Sequence, residues 1–181
     1  SADVLGAVIE IASGMKLSEF MLKEIFEPLG MRDTAFWVPA EKRDRLAAAY
    51  EIYSDNDGKH IRRFDRNNLA VSNSMAFEPA YLAGGAGLAS TIDDYMKFAS
   101  MLLHGGSYDG RRILSQRTVE YMTGAGLEPQ QRDGMRRNID MPGFSYSNFM
   151  RVCTEPSHYT GLAVGGEYGW DGWLWMFFAN I

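Results

Sequence analysis

A single thiol, Cys153, is present in 181 residues, which excludes an internal disulfide framework and a cysteine-rich zinc site. Histidine is almost as scarce. His60, His104 and His158 follow a hairpin, a helix end and a Pro-Ser turn, with no metal-ligand spacing, so surface or capping roles are expected. No metal and no cofactor are therefore expected. No apolar run reaches the ~18 residues a membrane helix needs. No block of like charge stands out among 18 basic and 23 acidic residues, net −5, which leaves a nucleic-acid surface without support. Internal repeats and low-complexity tracts are also missing. The first residues, Ser1-Ala2-Asp3-Val4, contain neither a basic nor an apolar leader segment, so no signal peptide is read there.

What is present is ordinary for a globular unit: 46% hydrophobic and 23% charged residues, in a length that suits one domain, or one domain and a fragment. Val4, Leu5, Val8, Ile9 and Ala12 form a helical stripe closed by Gly14. Ser18 is the expected N-cap of a second helix, with Leu17 and Leu22 as a hydrophobic staple. Phe20, Met21 and Ile25 are its expected buried face, and Pro28 and Gly30 its end. A short solvated helical turn follows Pro39. Two strands, 47–54 and 59–64, flank the hairpin signal Asn56-Asp57-Gly58. Residues 66–89 read as irregular. Ser90 or Thr91 caps a third helix, with Asp93 and Asp94 in its first turn and Ile92, Tyr95, Met96, Ala99 and Leu102 as its apolar face. A turn at Asp109-Gly110 and a short helix from Ser115 to Met122 follow. Residues 124–142 are polar and read as loop, and 143–153 and 161–179 read as strands. Helices and strands mix without βαβ alternation, so the expected fold class is α+β with a mainly antiparallel sheet and flanking helices.

Three segments imitate serine-hydrolase motifs. Ser13-Gly14-Met15-Lys16 has the S-x-x-K spacing, Tyr146-Ser147-Asn148 the Y-x-N spacing, and Trp170-Asp171-Gly172 could stand as a third, strand-borne motif. An S-x-x-K serine works at a helix start, where the lysine one turn on shares its face and the helix N-terminus favours an anion. Ser13 lies at a helix end with Gly14 breaking the helix, so it is read as a decoy. Tyr146 and Asn148 are expected on one face of a strand, with a structural tyrosine. Glu155, His158 and Tyr159 are neighbours in a loop, which seldom makes a site alone. The eleven methionines follow element faces and read as core filler. Gly84-Gly85-Ala86-Gly87 lacks the Lys-Ser/Thr and the strand–helix setting of a phosphate loop.

Longer stretches carry a resemblance. Leu5-Gly6-Ala7-Val8-Ile9-Glu10 and Ile25-Phe26-Glu27-Pro28-Leu29-Gly30-Met31-Arg32-Asp33-Thr34 resemble a segment of the serine β-lactamase-related family: class C β-lactamases, penicillin-binding proteins and esterase-like serine hydrolases. The run 84–91, with Asp94-Tyr95 and 101–106, resembles a second family segment, continued by Ile113-Leu114-Ser115, Thr118-Val119 and Met122. Tyr168-Gly169-Trp170-Asp171-Gly172 resembles the W-x-G form of the third motif found in esterase-like members. The resemblance implies a partial β-lactamase/transpeptidase-like fold. It implies that the backbone N–H of Trp173 shares the oxyanion hole and that Trp170, Asp171 and Gly172 shape the substrate site. Asp171 sets a carboxylate beside a site that must stabilise negative charge, and Trp175 puts bulk where many members have a small residue.

In that family the nucleophilic serine and its lysine lie well upstream of the segment beginning here at Ser1, and the catalytic tyrosine immediately before it. Residues 1–181 are thus expected to be the middle and later part of a family domain, with both ends cut. The expected parent is an ester or amide hydrolase working through an acyl-serine on small molecules, and this chain alone is expected to be inactive. The alternative is a non-catalytic binding module that self-associates through its truncated edges. The resemblance leaves periplasmic and cytoplasmic locations open, and the substrate unnamed.

Overall fold

The computed structural model describes residues 2–64, 66–67, 74–124, 126–139, 141–158 and 162–170. The chain divides into two compact units, Ser1–Tyr95 and Met96–Ile181.

In the first unit, helix α1 (Ala2–Ser13) ends where Gly14 turns left-handed at φ 70°. Helix α2 (Leu17–Met21) starts two residues earlier than an N-cap at Ser18 would set it, with Lys16 as N-cap. Two carboxylates do the capping. Glu10 accepts from the Leu17 N–H at 2.9 Å and Glu19 from the Lys16 N–H at 3.4 Å. A π turn (Leu22–Phe26) then leads into α3 (Glu27–Leu29). Phe26 and Leu29 are buried with Leu17, whereas Phe20, Met21 and Ile25 are half-buried and Leu22 is exposed; the extra residue in the wider turn rotates the face that follows it. Gly30 takes the left-handed C-cap at φ 66°. A 3-10 turn (Ala40–Arg45) follows, then the expected antiparallel hairpin, β1 (Tyr50–Asp55) and β2 (Gly58–Arg63), in the register Ile52↔Ile61 and Asp55↔Gly58.

The segment Met31–Phe36 is tied to the stretch before the next helix, α4 (Ile92–Leu103). Ala35 and Ala89 exchange backbone hydrogen bonds at 3.1 and 2.9 Å. Asp94, 3% exposed, accepts from the Asp33 N–H at 2.6 Å and from the Thr34 hydroxyl at 3.0 Å, while its own N–H donates to Thr91 Oγ1. Thr34 also bonds Ser90 at 2.8 Å. Asp94 is therefore more than a charge at a helix start, because it joins the two family-like segments Asp33-Thr34 and Ser90-Thr91. The rest of α4 departs from expectation as well. Its buried residues are Asp94, Ala99 and Met101, and Ile92 and Met96 face solvent.

In the second unit, Ser115 caps α5 (Gln116–Thr123), its hydroxyl accepting from the Thr118 N–H at 3.0 Å. The short hairpin β3 (Ser107–Tyr108) and β4 (Arg111–Arg112) precedes it, turning at Asp109-Gly110 with both residues at positive φ. The expected loop at 124–142 instead contains helix α6 (Pro129–Ile139). Proline at its first position suits a helix start, and Gln131 Oε1 accepts from the Glu128 N–H at 2.9 Å. Met135 is its buried anchor, packing with Phe144 and Cys153 against half-buried Leu127, Met141, Tyr146 and Ala163. The stretch 143–153 is two strands, β5 (Phe144–Ser147) and β6 (Met150–Cys153), and β7 (Tyr168–Gly169) completes a three-stranded antiparallel sheet of order β5-β6-β7. Among the described residues of 161–179, strand is limited to β7.

Candidate active site

The imitation motifs separate cleanly in three dimensions. Ser13 Oγ donates to the Ile9 carbonyl at 2.7 Å and accepts from the Met15 N–H at 3.2 Å, so it is engaged by its own helix end. Lys16 Nζ lies 3.0 Å from Glu78, and the hydrogen bond and charge of Glu78 raise its pKa. A lysine held in its charged form is a poor base, so the pair lacks both a poised nucleophile and a proton acceptor. Asn148 is a turn residue rather than a strand partner of Tyr146. It sits at φ 46° between β5 and β6, and its Nδ2 donates to Ser147 Oγ at 2.8 Å and to the Tyr121 carbonyl at 3.4 Å.

The histidines are dispersed. His60 stacks on Tyr53 and bonds Asp55, His104 bonds the Ser100 carbonyl, and His158 Nδ1 meets Glu155 at 2.6 Å. Among the described residues no group of three His, Cys, Asp or Glu could hold a metal ion. Among them, too, no helix is long and apolar enough to cross a membrane.

The Gly84-Gly85-Ala86-Gly87 turn has a packing role. A Cβ on Gly84 would come within 2.5 Å of the Ala2 carbonyl oxygen, so only glycine lets this turn lie against α1. The Gly85 N–H donates to Asp3 at 3.0 Å, fixing the same junction from the other side.

The third motif begins at the end of β7. β7 pairs with β6 through Arg151↔Gly169 and Val152↔Tyr168, and Gly169 is buried. Trp170 follows directly. Its ring stands edge-on to Tyr146 of β5, centroids 5.4 Å apart at 77°. The strand order β5-β6-β7 carries the tyrosine across to the tryptophan, a contact that sequence separation conceals and only pairing register could show. Tyr146 rests on the Met135–Phe144–Cys153 cluster, so the Trp170 ring is held by a packed base. Burial pushes the Cys153 thiol of this cluster, and the Tyr168 phenol of β7, above their usual pKa values. Beside Tyr168, an open depression of about 400 Å³ is lined by Leu102, His104, Val119 and Glu120 among others. Asp171, Gly172, Trp173 and Trp175 lie outside the described residues, as does Tyr159.

Comparison with known proteins identifies the family and the fold. A family profile described as Beta-lactamase matches residues 1–180. Esterase EstB of Burkholderia gladioli is 39% identical over 181 aligned residues, covering 92% of this chain and 43% of its own. The lovastatin esterase of Penicillium rubens is 29% identical, covering 94% of this chain and 41% of its own. Among solved structures, EstCE1, described as a hydrolase with promiscuous acyltransferase activity, superposes with a TM-score of 0.69 at 23% identity, over 92% of this chain and 42% of that one. The likeness to that structure shows the fold, a mixed α+β arrangement with antiparallel sheet. The chain spans about two fifths of the length of the relatives it matches.

Proposed function

The chain belongs to the beta-lactamase family, and from that premise we propose that it carries the later part of an acyl-serine hydrolase whose substrates are small esters in preference to β-lactams. The observation that carries the reading is the setting of Trp170. It leaves a strand end in the chain order of the family's third motif, its ring fixed by Tyr146.

In this reading the nucleophilic serine, its lysine and the catalytic tyrosine come from the part of the family domain that this chain does not match. The serine oxygen attacks the ester carbonyl as its proton passes to the lysine–tyrosine pair. Negative charge collects on the carbonyl oxygen, where two backbone donors meet it: the serine's own N–H and that of Trp173. The C–O bond then breaks, the leaving alcohol takes a proton back through the tyrosine, and an acyl-serine remains for water, or a second alcohol, to take up. Trp170 and Gly172 line the approach. An Asp171 carboxylate on that face would oppose the developing oxyanion. The W-x-G form, with its tryptophan in place of a lysine, removes a cation that a β-lactam carboxylate would seek, and relatives described as esterases are in keeping with this.

The test places these 181 residues in the Burkholderia gladioli esterase in exchange for its matching segment. A nitrophenyl ester should be turned over faster than a chromogenic cephalosporin. Trp173→Pro, which deletes one oxyanion donor, should lower kcat roughly 100- to 1,000-fold. The 181-residue chain by itself should turn over neither substrate, with Ser13→Ala making no difference. Ester turnover by the isolated chain that Ser13→Ala abolishes, or a folded exchange protein without ester turnover, would refute the assignment.

A further inference from the structure

The open depression beside Tyr168 lies wholly within the second unit, and the polar groups that line it are short of donors. Four of them are His104, which follows α4, and Gln116, Glu120 and Thr123 of α5. His104 Nδ1 lies 2.7 Å from the Ser100 carbonyl oxygen, which can only accept. Nδ1 therefore carries the proton, and Nε2 of the neutral ring is left as an acceptor. The Thr123 hydroxyl donates to the Val119 carbonyl at 2.9 Å, which leaves its oxygen to accept. Gln116 Nε2 donates to Glu120 Oε1 at 2.9 Å, so the Gln116 amide oxygen and Glu120 Oε2 remain as acceptors. Against these stand one further N–H of Gln116 and the Tyr168 phenol.

The charge points the same way. Among the described residues Glu120 is the one carboxylate in the lining, and no lysine or arginine joins it. The depression also borders the C-terminal end of α4, where the helix dipole is negative. Arg112 answers part of that from outside the lining, donating to the Gly105 and Leu114 carbonyls at 3.2 and 3.0 Å. Buried Val119, half-buried Leu102 and the Tyr168 ring supply apolar surface. The volume, about 400 Å³, falls in the range of small-molecule sites.

We propose that this depression binds a primary ammonium group carried on a short apolar stem. An ammonium brings three donors and no acceptor, so it meets the surplus of acceptors and the Glu120 charge together, while its stem covers Leu102, Val119 and Tyr168. A carboxylate would face Glu120 and a negative helix end. An alcohol brings one donor and no charge. Such a site is independent of the hydrolase reading.

The test follows the backbone amide resonances of the 181-residue chain at about pH 7.5 while n-hexylammonium chloride, hexanol or sodium hexanoate is added. The ammonium should give saturable shifts centred on residues 102–105, 116–123 and 168. Hexanol should bind about tenfold more weakly or worse, and hexanoate should not saturate. Glu120→Gln should weaken the ammonium roughly five- to tenfold. Glu120→Lys should abolish its binding. Glu128→Gln removes a carboxylate outside the lining and should change nothing. Glu120 and Glu128 are both exposed, so these variants keep the fold. Nα-acetyl-lysine amide, titrated in parallel, separates the two sources of the group: tighter binding than hexylammonium supports a lysine side chain as ligand, weaker binding a free amine.

Hexanol or hexanoate binding as tightly as the ammonium overturns the proposal. So does an ammonium titration without saturable shifts at these residues, or a Glu120→Gln chain with unchanged affinity.

Discussion

Asp33 accepts from Lys42 Nζ at 2.7 Å and from Arg45 at 2.9 Å, and these hydrogen bonds hold its pKa near 2, below the ordinary 3.8. A carboxyl whose folded pKa is depressed contributes stability wherever the unfolded form is ionised, and loses it as protons return. That contribution should be complete above about pH 5 and vanish between about pH 4 and pH 2. The measurement is the difference in urea midpoint between the natural chain and Asp33→Asn as pH falls. A difference that persists unchanged at pH 2 would contradict the assignment. Ser13 and Lys16 show what single residues disclose in advance. Their helix-end position was readable from Gly14, because a left-handed glycine stops a helix whatever surrounds it. The ion pair of Lys16 with Glu78 was not, because it joins residues far apart in the chain.

At the scale of elements, local signals succeeded where local chemistry decides. The hairpins at 50–63 and 107–112 and the helix capped by Ser115 follow from turn and cap residues. Helix α6 escaped notice because Met135 is its buried anchor and no stripe of apolar residues announces it. The π turn at Leu22–Phe26 rotates the face that follows it, which a strict 3.6 periodicity does not anticipate. The β5–β6 connection carries its own strain. Asn148 and Phe149 both have positive φ, 46° and 67°, as a two-residue turn of this hand requires, and phenylalanine is ill suited to it. Phe149→Gly should raise stability by about 1 kcal/mol, seen as a higher urea midpoint with unchanged slope. A fall would mean that contacts of the ring outweigh its backbone strain.

At the scale of the molecule, the resemblance identified the family, since segments such as 25–34 and 84–91 are long enough to be specific, and the profile match over 1–180 agrees. The site was legible as chain order only. That Tyr146 would brace Trp170 depends on how three strands pair, which is tertiary information. Cys153 gives the second unit an internal clock. It is the chain's sole cysteine, 1% exposed, and burial raises its pKa, so a thiol reagent can reach it only when the packing of Met135 and Phe144 on it opens. Its labelling rate should therefore lag a free thiol's by the fraction of time that packing is open, and Met135→Ala should quicken it. One maleimide reaction followed by mass then times the breathing of the cluster on which the candidate site rests, with no engineered probe.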